Sequence, residues 1–197
     1  MQSGCLKDLT CKNIEINGKM VGGKRNIINI TAQTVVTNLS VKDSGALIML
    51  SGASSQIQVI NLPTIKPEDV GTTYEFYVAV EGASTASGSY TINTGGHATD
   101  SDSRTAGYDD FIGLLRVIDA TEYTATDTTN AVPGSGDGTL VLANDTTNGE
   151  VKVGSCFTCT AVAASDIGTA SSDVWLVQGV MIGDAAGWVT TALFTPP

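Results

Sequence analysis

Residues able to do chemistry are few and scattered along the 197-residue chain. The single histidine, His97, follows two glycines. A nucleophilic triad would have to combine it with Asp100, Asp102, Asp109 or Asp110 as the orienting carboxylate and some serine as nucleophile. No serine stands in a G-x-S-x-G elbow, and His97 reads as a solvated loop residue. The neighbouring aspartates lack the D-x-D-x-D-G spacing with a distal glutamate that an EF-hand calcium loop uses. Glu68, Glu75, Glu81, Glu122 and Glu150 give no local signature of the paired carboxylates that cleave glycosides. Gly134-Ser135-Gly136-Asp137-Gly138 has the glycine content of a phosphate loop without its lysine, and it precedes a strand rather than a helix. Cys156 and Cys159 form a C-x-x-C, to which Cys5 and Cys11 could add two zinc ligands. In a strand, however, residues three apart point to opposite faces, so these thiols read as small apolar filler. The expectation is a protein that is not an enzyme and holds no metal or cofactor.

Composition and charge narrow the partners. Ten basic against 20 acidic residues leave a net charge of −10. Nothing resembles the cationic stripe that neutralises phosphates, so nucleic acid is not an expected partner. No apolar run reaches the length of a membrane span, and the N-terminus lacks a signal-peptide core, so the chain reads as soluble and made in the cytoplasm. A compact monomer this long would bury roughly 70% of its extended-chain surface, enough for a core without disulfide or metal staples. Charge is not evenly spread. Residues 1–25 hold Lys7, Lys12, Lys19, Lys24 and Arg25 against Asp8 and Glu15, net +3, whereas residues 26–197 hold 5 basic and 18 acidic residues, net −13. The division expected is a basic N-terminal arm over 1–25 and a body over 26–197. Extended, such an arm would span roughly 80 Å, long enough to reach a neighbour, and its five cations are the candidate partner-binding residues.

The body must be nearly all β. Threonine, at 26 residues, joins Val, Ile and Tyr in short runs separated by Gly, Ser, Asn and Asp. The runs predict strands over 26–31, 34–41, 46–50, 56–62, 74–81, 89–93, 112–119, 139–143, 151–163, 174–182 and 187–194. Asp43-Ser44-Gly45 and Asn148-Gly149 are among the turn signals, the latter the strongest hairpin candidate. Alternation puts Tyr74, Phe76, Val78 and Val80 on one face, and Ile57 with Val59 on the side away from Gln56 and Gln58. The runs 46–50 and 174–177 are apolar on both faces, as suits strands covered by a second sheet or by a neighbouring subunit. No fixed-period repeat is visible, and 95–110 and 124–138 read as long surface loops. An antiparallel, jelly-roll-like β-sandwich with an extended arm is the expected fold.

One segment carries more than composition. Leu39 to Leu50 with its Asp43-Ser44-Gly45 turn, then Ile57 to Pro63 closing on Leu62-Pro63, then Gly71-Thr72-Thr73-Tyr74-Glu75-Phe76-Tyr77-Val78, resembles a pattern recurring in tailed-bacteriophage virion proteins. Trp175 to Gly179 followed by Gly187 to Thr190 is similar to that family's closing hairpin. The resemblance implies a head decoration, or cement, protein. Such a module sits on the outer capsid surface of the virion, commonly as a homotrimer, with the major capsid protein as partner. The arm lies outside the matched pattern. A head-fibre or tail-fibre attachment module is the alternative, with glycans stacking on exposed aromatics drawn from Tyr90, Tyr108, Tyr123, Trp175 and Trp188.

Overall fold

The computed structural model describes residues 25–31, 36–52, 57–81, 89–94, 110–119, 128–133, 138–145, 149–167, 173–183 and 194–195. Their strands are β1 (Ile27–Ile30), β2 (Val36–Asn38), β3 (Leu47–Leu50), β4 (Gln58–Asn61), β5 (Thr73–Val78), β6 (Tyr90–Asn93), β7 (Asp110–Asp119) and β8 (Thr128–Ala131), followed by β9 (Thr139–Leu142), β10 (Asn144–Asp145), β11 (Gly149–Glu150), β12 (Cys156–Val162), β13 (Val174–Gly183) and β14 (Phe194–Thr195). One four-residue helix, α1 (Ala164–Ile167), separates β12 from β13. No helix among the described residues is long and apolar enough to cross a membrane. The strands form a seven-stranded sheet, β1-β3-β5-β12-β13-β7-β8, a five-stranded sheet, β14-β9-β6-β4-β2, and the small pair β10-β11. The fold is all-β and built on two sheets.

Its pairing is not the purely antiparallel one expected. β1, β3 and β5 lie side by side and parallel in the large sheet, and β2, β4 and β6 do the same in the smaller one. The chain changes sheet at every step, so the first half winds into three stacked coils of a parallel solenoid. The connectors lead the chain from one sheet to the other instead of back along the same sheet, which hairpins would require. The coils differ in length: Ile27 pairs with Leu47 but Leu47 with Glu75, and Val36 with Val59 but Val59 with Thr91. A structural repeat is therefore present without a sequence period. Antiparallel strands then extend both stacks, β12 on β5 and β13 on β12 in one sheet, β9 on β6 and β14 on β9 in the other. β7 returns parallel to β13 along ten registered pairs.

The core fills the space between the sheets. Tyr74, Phe76 and Val78 are buried on one face of β5, as alternation requires. Phe76 stacks on Phe157 with ring centroids 4.8 Å apart, Tyr74 leans on the fully buried Trp175 at 5.7 Å, and Phe111 of the large sheet meets Phe194 of the small one at 5.9 Å. Such pairs add about 0.5–1.5 kcal/mol each beyond area burial.

In β4 the expected faces are reversed. Ile57 is exposed, whereas Gln58, Ile60 and Leu62 are buried. Gln58 can occupy the core because its Nε2 donates to the Gly52 carbonyl at 2.7 Å and the Thr31 carbonyl at 3.0 Å, linking two connectors of the solenoid. Two carbonyl partners fix the amide's orientation and leave Oε1 buried without a hydrogen bond. The stretch 124–138, expected as loop, contains β8, which pairs antiparallel with β7. A hairpin does form near Asn148-Gly149, but Gly149 pairs with Asp145 in the ladder instead of sitting in the turn.

The Asp43-Ser44-Gly45 turn forms as expected, with Gly45 at φ +81°. The Asp43 carboxylate accepts from the Ser40 N–H at 3.0 Å and the Ser40 hydroxyl at 2.7 Å, and the buried Tyr74 hydroxyl donates to the Ser40 carbonyl at 2.8 Å. The turn docks on β5 through the Gly45 N–H to the Thr73 carbonyl, 2.8 Å. Gly113 is the tighter constraint. It sits in β7 at φ +121°, and a Cβ there would lie 2.0 Å from the Val177 carbonyl oxygen of β13. Around Gly45 a Cβ would meet nothing within 4 Å. Gly45→Ala should therefore cost about 1 kcal/mol, the left-handed backbone alone. Gly113→Ala should cost on the order of 3 kcal/mol or more, because strand separation is added to strain. Urea midpoints of the two variants check this; equal losses would mean that β7 and β13 are not packed as described.

Candidate partner-binding surface

Alternation gives the seven-stranded sheet two unlike faces. The inward row Ile48, Phe76, Phe157 and Leu115 is buried against the second sheet. The outward face faces away from that core, and register places its residues in transverse rows. One row reads Ile27, Leu47, Glu75, Thr158, Gln178, Leu114, and the next Asn29, Met49, Tyr77, Cys156, Val180, Arg116. Leu47, Met49, Tyr77 and Val180 are half-buried, while Ile27, Leu114 and Ile118 are 57%, 41% and 40% exposed. The runs that looked apolar on both faces, 46–50 and 174–177, both cross this sheet. A broad sheet face of this composition is suited to another protein surface, not to a small-molecule site, because its polar groups do not converge on one point.

Charge enters this face from the end of the arm. Arg25 donates Nε to the Gly45 carbonyl at 3.0 Å, and its guanidinium pairs with Glu75 at 2.7 Å. Both side chains are roughly 40% exposed, so the pair contributes about 0–1 kcal/mol and serves mainly to fix where the arm meets the sheet. Arg25, expected among the partner-binding cations, is thus engaged by its own body. Lys7, Lys12, Lys19 and Lys24 lie outside the described residues. At the far side of the solenoid, Lys152 pairs with Glu81 at 3.6 Å.

The other candidates are placed as follows. Cys156 is exposed on the outward face and Cys159 is buried on the inward one, as a strand demands, so the two thiols do not share a ligand. Burial pushes the Cys159 thiol well above its ordinary range. Among the described residues, no three of His, Cys, Asp and Glu gather closely enough to hold a metal ion. His97, Asp100, Asp102 and Asp109 lie outside the described residues, and Asp110 opens β7 beside Val174. Glu68 is exposed in the 3-10 turn Pro67–Asp69, and Glu75 and Glu81 are each ion-paired with a cation, Arg25 and Lys152. Tyr90 and Trp175 are buried in the core and cannot stack on a sugar; Tyr108, Tyr123 and Trp188 lie outside the described residues. Sequence reasoning missed the asparagine column Asn38, Asn61 and Asn93, one residue from each coil of the smaller sheet. Each of the three ends its strand as a β-residue followed by Asn, a signal present in the sequence but meaningful only once the strands are known to be parallel.

Compared with known proteins, the chain matches no family model, no curated protein and no solved structure.

Tyr90 makes the fold sensitive to alkali. Burial pushes its phenol from 10.0 up to about 12, opposed by the backbone at Gly52, and its hydroxyl donates to the Val80 carbonyl at 2.9 Å. The folded state favours the protonated phenol. Stability from this group is complete below the unfolded value near 10 and is lost between about 10 and about 12, as the unfolded chain releases a proton that the folded one keeps. Tyr74 and Cys159 are shifted upward by burial too and act in the same sense. The urea midpoint should stay level from neutral pH to near 9 and then fall, and Tyr90→Phe should show a shallower alkaline fall. A midpoint that is flat through pH 11 would contradict the burial of these groups.

Proposed function

We propose that the protein is a structural component of a tailed-bacteriophage virion, a decoration or cement protein that binds the outside of the assembled head as a homo-oligomer and bridges neighbouring copies of the major capsid protein. The observation that carries this reading is the outward face of the seven-stranded sheet, where the exposed Ile27, Leu114 and Ile118 stand among polar residues, a mixture suited to covering by protein. The residues of the family resemblance support it. Leu39 to Val78 include the second coil of the solenoid and the first strand of the third: Leu62 before Pro63 is buried, Tyr74 and Phe76 are core, and Asp43-Ser44-Gly45 clamps β3 to β5. They specify the shape of a module, and the module's outer rows are free to vary with its partner. Within this reading the outward face of the large sheet makes the contacts between copies, and Lys7, Lys12, Lys19 and Lys24 of the arm meet an acidic strip of the shell. Binding that favours the assembled shell over loose subunits stabilises the shell by mass action, and many identical sites add up.

Electron microscopy of virions from the phage that encodes the protein should show it as a regular array of knobs on the head. Its absence from heads, or its presence on fibres, would sink the reading. Purified protein should scatter light as an oligomer, and Leu114→Lys with Ile118→Lys should reduce it to a folded monomer. An unchanged mass would move the interface off this face. Replacing the four arm lysines with glutamine should weaken particle binding at least about tenfold, and added salt should do the same to the wild type.

A further inference from the structure

One strand of the large sheet carries an ordered stripe of charge and apolar side chains. Phe111, Leu115 and Val117 of β7 are buried, so alternation sets Asp110, Ile112, Leu114, Arg116 and Ile118 on the outward face. Asp110 and Ile112 are half-buried, and Leu114, Arg116 and Ile118 are exposed. The chain matches other charges on and beside this face from within, Glu75 with Arg25 and, at the far side, Glu81 with Lys152. Asp110 and Arg116 pair with no other described residue. They cannot reach each other either, because six residues of one strand hold them about 20 Å apart.

The order of the stripe is self-complementary. From Asp110 to Arg116 its outward residues read acid, apolar, apolar, base, with Gly113 at the midpoint. Turned end for end about Gly113, the stripe sets position 110 against 116 and position 112 against 114, so each charge meets its opposite and each apolar side chain meets another. Nothing on the neighbouring strand opposes this. β13 registers Leu176 with Ile112 and Gln178 with Leu114, and the same turn sets these two uncharged residues against each other. Val174, beside Asp110, is buried within its own chain, so the matched span ends there. A second stripe laid over the first in the same direction would instead stack Arg116 on Arg116 and Asp110 on Asp110.

We propose that the outward face is covered by a second copy of this chain across a two-fold axis, with β7 lying antiparallel over β7, Asp110 of each copy paired with Arg116 of the other, and Ile112 packed on Leu114. The axis runs between the two faces, across the strands at Gly113. Stacked sheets lie about 10 Å apart and cross at roughly 30°, and the long stem of Arg116 spans the gap and the sideways offset that this angle brings. Buried among Ile112 and Leu114 of both copies, the two ion pairs fix the register of the contact and its partner. A contact of this kind uses the same patch on both subunits and closes at two copies. The oligomer therefore holds an even number of chains, where the family resemblance implies three. The inference rests on the reading of this face as the contact between copies, and it does not need the virion.

Charge reversal in the purified full chain, read by light scattering and native mass spectrometry, tests it. The wild type should contain an even number of copies. Asp110→Arg sets arginine against arginine across the axis, and Arg116→Asp sets aspartate against aspartate, so each variant alone should associate at least about tenfold more weakly. The two variants mixed should form a one-to-one hybrid, and Asp110→Arg with Arg116→Asp in one chain should restore the wild-type mass. Recovery of this kind comes only from matched charges, so a variant that failed to fold would not produce it. Weakened single variants with neither a hybrid nor a restored oligomer overturn the proposal, as does an odd number of copies. A wild-type oligomer that none of these changes affects overturns the two-fold pairing while leaving a contact between copies in place; a monomeric wild type overturns both.

Discussion

Register is the constraint on which the rest of this structure depends. A strand that slips by one residue turns its whole buried row outward, and here the slip would move Ile60 and Leu62 out of the core and Val59 into it. Short parallel strands joined by connectors of unequal length have little to prevent this, because neither a tight turn nor a constant coil length sets the alignment. The asparagine column supplies what the connectors do not. Asn61 donates to Asn38 and accepts from Asn93, so a slip of the middle coil would lose hydrogen bonds to both neighbours at once. Gln58 works in the same direction from inside, since its two carbonyl acceptors lie in connectors on different coils. Hydrogen bonds of this kind contribute about 1 kcal/mol each, and their larger effect is that the misaligned alternative leaves polar groups unpaired.

Much of the fold was legible in the residues, and the illegible part has physical causes. The strand content, the buried face of β5 and the opposed cysteines of β12 follow from alternation, a local property. Pairing is not local. Val-, Ile- and Thr-rich runs separated by glycine and serine look the same whether the chain folds back beside itself or crosses to a second sheet, so the parallel coils and their register could not be read. The face of β4 was misread because a glutamine beside isoleucine and valine is ordinarily the solvent side; only the carbonyls of Gly52 and Thr31, brought there by the coil, make Gln58 the inner residue. β8 lay hidden in a threonine-rich stretch because its stability comes from pairing with β7. Of the candidate surface, the sequence showed that 46–50 and 174–177 were apolar on both faces, but not that their outer residues align in rows across one sheet. Arg25 looked like a free cation until Glu75, fifty residues away, was placed beside it.

The two faces of the large sheet separate what the fold needs from what a partner needs. Inward rows carry the aromatic contacts, Phe76 on Phe157 and Tyr74 on Trp175, which tie the solenoid to the strands that extend it. Outward residues of the same strands sit at the alternate positions and make none of these contacts. Because the strand period is two, an outward substitution leaves the inward row in place, and the exposed Ile27, Leu114 and Ile118 are not needed by the core.

Among the described residues β2 is the outermost strand of the smaller sheet, and its edge poses a different problem, because there the outward groups belong to the backbone. An apolar face is covered by any surface of suitable shape, whereas the edge of β2 presents carbonyls in a fixed spacing together with one oriented amide, and these are matched only by an extended strand in register. The chemistry of the edge is therefore more selective than that of the face. The face and the edge thus differ in kind, one selective for shape and one for register, and the asparagine column aligns the strands that end at the edge.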